Sequence, residues 1–195
     1  MHARRNILMK ILCIGDSNTY GYDPRSYIGG IYPADVRWTD NLSGHEVINC
    51  GLNGMSVPRT HLRQAGLIRA NEPDLVIVML GTNDLLSGLS AEETAERMGA
   101  FLDTIMAEGR PVLLISPPVL QPGEWVLDGE QIEESLELGE AYRELADRKG
   151  CLFADAGEWD IDVTFDGVHF SEEGHRTFAG RLEERLINDR ALGKM

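Results

Sequence analysis

Four short segments of this chain carry side chains with chemistry to offer: Gly15-Asp16-Ser17, Asn49 to Gly54, Gly81-Thr82-Asn83-Asp84 and Asp166-Gly167-Val168-His169. A serine hydroxyl alone is a weak nucleophile; it needs a base, usually histidine, a carboxylate to orient that base, and donors for the oxyanion. The four segments together contain all of these residue types, so the chemistry they point to is nucleophilic attack by Ser17. Each one alone is ordinary, and Gly-Asp-Ser by itself reads as a turn.

The elements that must position these residues are legible from hydrophobic pattern. Ile11 to Ile14 is a continuous apolar run without polar alternation, as in a strand covered on both faces, and Leu8 to Ile14 is the first predicted strand. Gly15 turns the backbone sharply, leaving Ser17 at the carboxyl end of that strand, where open parallel sheets bind ligands. Val47 to Asn49 is a second short strand, ending in a Gly- and Asn-rich turn able to aim backbone N–H groups at a ligand. Leu75 to Leu80 and Val112 to Ile115 read as buried parallel strands, and Cys151 to Ala154 as a short fifth one.

Between the strands, short helices are expected over Val36 to Leu42 and Arg59 to Ala70. The capping-box residues Ser90 and Glu93 open a helix with Ala95, Met98, Leu102, Ile105 and Met106 on one stripe. Gln131 to Lys149 is expected to be amphipathic, with Ile132, Leu136, Leu145 and Ala146 inward. Ser171 caps a last helix carrying Phe178, Leu182 and Leu186. Strands alternating with helices in this order predict a single α/β domain over residues 1–195, a three-layer α/β/α sandwich with a five-stranded parallel, flavodoxin-like sheet and right-handed crossovers.

Two long loops, 19 to 37 and 116 to 130, have no period and are rich in Gly, Pro and aromatics; loops of this length in a compact domain tend to be functional. Tyr20, Tyr22 and Tyr32 in the first are candidates to line a pocket, with loop packing as the alternative, and Trp125 in the second belongs to a rim or lid. A neighbouring subunit of a homo-oligomer is the other way to cover the site.

Order, spacing and strand-end positions of the four segments resemble the SGNH hydrolases, also called the GDSL esterase family, over residues 10 to about 186. The resemblance makes Ser17 the nucleophile and His169 the general base, with Asp166 orienting it. It assigns the oxyanion hole to the N–H groups of Ser17 and Gly54 and the side chain of Asn83. The family's usual apolar residue after the serine is Asn18 here, a departure that bears on local packing or the acyl pocket and so adds Asn18 to the substrate-binding candidates. Asp35 to Trp38, Leu80 to Asp84 and Ile115 to Pro118 look like the small aryl-esterase and acyltransferase branch. The implied activity is a cofactor-free, metal-free serine esterase acting on short acyl esters, with acyl transfer to alcohols as a second outcome. A carbohydrate O-acetylesterase and a lysophospholipase or thioesterase use the same residues; a non-catalytic flavodoxin-like binding module is the alternative of another class.

Other polar residues have structural readings. His175 shares a helix face with Phe178 and Leu182, as a core-edge histidine does, and His45 and His61 have no acidic partner at short spacing. Asp160 and Asp162 lie near enough to His169 to replace Asp166 as orienter, or are solvated loop residues. Asp16 and Asp84 are expected to bond corner backbone.

The 195 residues carry a formal charge of −14, which argues against nucleic acid or an anionic membrane surface as partner, leaving a small ester substrate. Cys13, Cys50 and Cys151 show no paired spacing and read as reduced thiols. Lys10 interrupts the N-terminal apolar stretch, so no signal segment or stable membrane association is expected; the cytoplasm is the expected compartment, with Met1 to Asn6 frayed.

Overall fold

The computed structural model describes residues 9–26, 29–58, 61–126, 128–191 and 193. The expectations for Met1 to Asn6, Leu8, Arg59 and Thr60 lie outside them. Five strands, β1 (Lys10–Gly15), β2 (Glu46–Asn49), β3 (Leu75–Met79), β4 (Val112–Ser116) and β5 (Leu152–Asp155), form one parallel sheet in the order β2-β1-β3-β4-β5. From β1 the chain steps outward to β2, then returns to the other side of β1 as β3. The order therefore reverses between β1 and β3, and the crevice beyond their carboxyl ends is the switch point at which such sheets bind ligands.

Successive strand residues point to opposite faces and both faces are covered, which is why β1 from Ile11 to Ile14 and all of β3 are apolar. Leu12, Ile14, Val76 and Val78 face one layer, packing with Met98, Phe101, Leu102, Leu138, Tyr142 and Leu145. That layer is built by α2 (Leu62–Asn71), α4 (Ala91–Met106) and α5 (Gly129–Lys149), numbered with α1 (Ser17–Tyr20) and α3 (Thr82–Leu86). Ile11, Cys13, Leu75 and Ile77 face the other, packing with Trp38, Phe170, Phe178, Leu182 and Leu186 under α6 (Glu172–Ala191). Removing a buried ring such as Phe101 or Phe178 from either layer is expected to cost about 3–5 kcal/mol.

The capping box at α4 is formed: Ser90 Oγ accepts from Glu93 N–H at 3.1 Å, and Glu93 Oε2 from Ser90 N–H at 3.0 Å. Two expectations change. Residues 36 to 42 hold only a 3-10 turn, Trp38–Asp40, although Trp38 and Leu42 are both buried as expected. Leu136 of α5 is 59% exposed; Leu145 and Ala146 face inward as expected, joined there by Ser135, Leu138, Gly139 and Tyr142, and small Gly139 lets the helix approach Asp155 at the end of β5. The helices α1 and α3 were not legible in sequence. Each is a single turn set by the strand corner before it, α1 capped by Asp16, whose side chain accepts the Asn18 N–H.

Candidate active site

Ser17 opens α1 immediately beyond β1 and is 5% exposed. Its Oγ lies 2.9 Å from Nε2 of His169, whose Nδ1 is 2.7 Å from Asp166 Oδ2. Serine and histidine are 152 residues apart in sequence, so the fold alone brings them together. Asp166 is saturated with donors: its Oδ1 accepts from the N–H groups of Val168 and His169, both at 2.9 Å, and from Thr164 Oγ1 at 3.0 Å. Burial by itself raises the pKa of this carboxyl, but the bond from the His169 ring and the two backbone N–H bonds outweigh it, and the value falls to about 2. An ionised Asp166 holds Nδ1 protonated, so Nε2 presents a lone pair to the serine hydroxyl.

The Asp166 to His169 turn is held against the second long loop. Gln121 N–H donates to Gly167 O at 3.0 Å and Trp125 N–H to Asp166 O at 3.1 Å. Gly167 has φ +81°, and a Cβ there would lie 2.0 Å from Gln121 O, so only glycine permits the approach. The rings of Tyr22 and Trp125 flank the imidazole at 4.8 and 4.9 Å between centroids. Trp125 is 51% exposed and stands at the rim.

The other two segments meet at the same corner. Leu52 N–H donates to Gly15 O, and Gly51 N–H to Asn49 Oδ1, folding residues 49 to 54 back over β1. Gly54 sits on this loop, exposed, with φ +70°. Asn83 on α3 donates from Nδ2 to Met55 O at 3.2 Å, which joins it to the Gly54 loop and leaves its second amide hydrogen over. The adjoining Asp84 is buried and strengthens the link: Oδ2 accepts the Val57 N–H at 2.8 Å, and Oδ1 lies 3.4 Å from Arg97. Burial raises its pKa, opposed by the Val57 N–H and the Arg97 charge.

Other assignments resolve differently. Asn18 does not face the pocket: its side chain is buried and both amide atoms are bonded to backbone. Tyr20 is half-buried; among the described residues the rings against His169 are those of Tyr22 and Trp125. Tyr32 turns into the core, edge-on to His175 at 5.1 Å between centroids. His175 is fully buried, and burial, then the charge of Arg37, lowers its pKa to about 4. His61 bonds Thr104, and Asp162 bonds Ser171. Asp16 bonds corner backbone as expected; burial raises its pKa to about 6 against the Asn18 N–H, the His169 charge and the Thr82 hydroxyl.

Sequence reasoning missed Thr164, which supports Asp166, and the pairing of Asp84 with Val57 and Arg97, because nothing local marks contacts between separate loops. Cys13 is buried, Cys50 and Cys151 half-buried, and all three are free. Among the described residues, no group of three or more His, Cys, Asp or Glu is arranged to hold a metal ion, and no helix is long and apolar enough to cross a membrane.

A three-layer α/β/α sandwich with serine, imidazole and carboxylate in line at the switch point of its sheet defines an α/β protein of the Ser-His-Asp class. Comparison with known proteins makes this specific: residues 13–177 match the model of the GDSL-like lipase/acylhydrolase family, and the chain belongs to that family. Esterase TesA of Pseudomonas aeruginosa is 26% identical over 115 residues, 57% of either chain. The thioesterase 1/protease 1/lysophospholipase L1 of Escherichia coli is 28% identical over 107 residues, 54% of this chain and 49% of that protein. The chain thus spans about half the length of these curated relatives. Solved structures match more fully. The aryl esterase of M. smegmatis superposes with a TM-score of 0.80 at 29% identity, covering 92% of this chain and 99% of that one. Est24, a carbohydrate acetylesterase from Sinorhizobium meliloti, does so with a TM-score of 0.81 at 26% identity and the same coverage.

Proposed function

We propose that the protein is a carboxylic ester hydrolase, a serine esterase that removes short acyl groups through an acyl-enzyme on Ser17. The observation that carries this is the buried chain from Ser17 Oγ to His169 Nε2 at 2.9 Å and from His169 Nδ1 to Asp166 at 2.7 Å. Ser17 Oγ attacks the ester carbonyl carbon while its proton passes to Nε2. The tetrahedral oxyanion is received by the N–H groups of Ser17 and Gly54 and by the second amide hydrogen of Asn83. Collapse breaks the bond to the alcohol oxygen, which takes the proton from His169. Water, deprotonated by the same imidazole, then attacks the acyl-enzyme and releases the carboxylic acid. An alcohol in place of water makes the second half acyl transfer.

Membership of an acylhydrolase family supports the reaction class, and the burial of Ser17, beside an imidazole flanked by the rings of Tyr22 and Trp125, favours a small acyl group. The half-exposed Trp125 ring offers a face to a flat alcohol moiety, either an aryl group or a sugar ring, so an acetylated carbohydrate is the second reading. The partner in either case is a small ester. The test is pre-steady-state hydrolysis of p-nitrophenyl acetate by the parent and by Ser17→Ala, followed by a rate comparison on aryl acetates, acetylated sugars and long-chain acyl thioesters. The parent is expected to release a burst and Ser17→Ala none. Undiminished turnover by folded Ser17→Ala excludes the mechanism, and a preference for long-chain thioesters excludes the short-acyl reading.

A further inference from the structure

Asn18 takes no part in the acyl chemistry above, yet its side chain is buried and fully engaged. Nδ2 donates to Val168 O at 3.1 Å, and Oδ1 accepts from Phe170 N–H at 2.9 Å. These are the residues immediately before and after His169. An amide that reads the C=O of one residue and the N–H of the residue two further on gives an extended segment what a residue of a parallel neighbouring strand gives it.

The amide is itself held firmly. Asn18 N–H donates to Asp16 Oδ1 at 2.9 Å, and its C=O accepts from Trp38 Nε1 at 2.9 Å. The ring of Tyr22 packs on the imidazole, and the other hydrogen-bonding anchors of the histidine act elsewhere. Asp166 and Thr164 fix the ring and backbone of His169 within its own turn, and Gln121 and Trp125 fix that turn against the second long loop. None of them relates the turn to α1. Among the described residues, the two Asn18 bonds and the Ser17–His169 bond itself are the hydrogen bonds that join residues 16–21 to residues 162–171.

We propose that Asn18 is a positioning residue, a bracket from the nucleophile's helix to both sides of His169 that sets Nε2 within hydrogen-bond reach of Ser17 Oγ. The assignment rests on the Ser17, His169 and Asp166 reading given above. Proton transfer needs a separation of about 2.6–3.2 Å, and misplacement by about 1 Å costs about a hundredfold in rate. Leucine at this position has nearly the branching of asparagine but offers neither bond, so Phe170 N–H and Val168 O lose their partners and the turn is free to drift from α1.

The experiment compares the parent, Asn18→Leu, Asn18→Asp and Ser17→Ala on p-nitrophenyl acetate, with rates normalised to folded protein by circular dichroism. Asn18→Leu is expected to lower kcat about a hundredfold with KM unchanged, the pattern of an interaction that matters in the transition state. Asn18→Asp, which keeps the acceptor for Phe170 N–H, is expected to fall between Asn18→Leu and the parent. A kcat within about threefold of the parent in folded Asn18→Leu overturns the assignment, as does a folded Asn18→Asp with a kcat equal to or above the parent's, and so does a loss expressed wholly in KM. If neither variant folds, hydrogen exchange on the parent decides. A Phe170 amide protected like the core strands supports the bracket, and exchange at the rate of exposed loops overturns it. Active Ser17→Ala defeats the underlying catalytic reading, whereas inactive Ser17→Ala beside a parent-like Asn18→Leu defeats the bracket alone.

Discussion

Asp166→Asn exchanges one carboxylate oxygen for an amide group and leaves the side chain's size unchanged. The structure dictates which oxygen becomes nitrogen. Oδ1 receives three donors, from Thr164 Oγ1 at 3.0 Å and from the N–H groups of Val168 and His169 at 2.9 Å each, so the asparagine carbonyl must take that position. Its NH2 group then faces His169 Nδ1, where Oδ2 stood at 2.7 Å. Nδ1 becomes the acceptor, the proton moves to Nε2, and the imidazole points an N–H at Ser17 Oγ instead of a lone pair. A base in the wrong tautomer is expected to lower kcat about 10⁴-fold, about 5.5 kcal/mol of barrier. The same substitution removes an ionised group whose pKa lies near 2 against an ordinary 3.8, a difference of roughly 2 kcal/mol in stability. That contribution is present above pH 3.8 and lost as pH falls to about 2. The assay is steady-state turnover of an aryl acetate at pH 7.5, normalised to folded protein, with a urea melt alongside. A kcat within tenfold of the parent, in a protein that melts cooperatively, means that Asp166 does not set the tautomer of His169.

The buried His175 makes stability depend on pH. Its folded pKa of about 4 lies below the ordinary 6.5, so the fold favours the neutral ring; its contribution is intact above pH 6.5 and declines by up to about 3 kcal/mol as pH falls to 4. Asp16, raised to about 6, acts in the opposite sense between pH 6 and 3.8. The comparison is therefore with His175→Gln, whose urea-derived stability is expected to fall less over that range; parallel curves contradict it. Asp84→Leu releases the Val57 N–H and Arg97, and so weakens the link between α3 and the Gly54 loop to the single bond from Asn83 to Met55. It is expected to lower kcat about 10- to 100-fold while KM moves little, and an unchanged kcat means that Asp84 does not help position the oxyanion donors.

Strand ends carried most of the site's legibility. An apolar run such as Leu75 to Met79 announces a strand covered on both faces, and in a parallel sheet its carboxyl end is where ligand-binding residues stand, so Ser17 and Asn83 could be placed without knowledge of distant contacts. Asp166 and His169 were visible as a pair because their spacing is local. Sequence left Asn18 open between local packing and the pocket for the complementary reason: its polarity is plain, but the partners that settle it in packing, Val168 and Phe170, lie 150 and 152 residues away. The helices α1 and α3 were invisible because Ser17 to Tyr20 and Thr82 to Leu86 contain Ser, Thr, Asn and Asp, which favour caps and turns over helix interiors. Leu136 was placed inward by its apolarity, yet contact between α5 and β5 is made through Gly139, where the absence of a side chain decides the approach.

Reaction of the purified protein with a fluorophosphonate, followed by intact-mass and peptide-mass measurement, interrogates the hydroxyl at the head of α1 directly. One adduct per chain is expected, on the peptide containing Ser17, with esterase activity lost in proportion to labelling and no adduct on Ser17→Ala. Full activity in a fully labelled protein, or a label that maps elsewhere and persists in Ser17→Ala, contradicts Ser17 as the nucleophile.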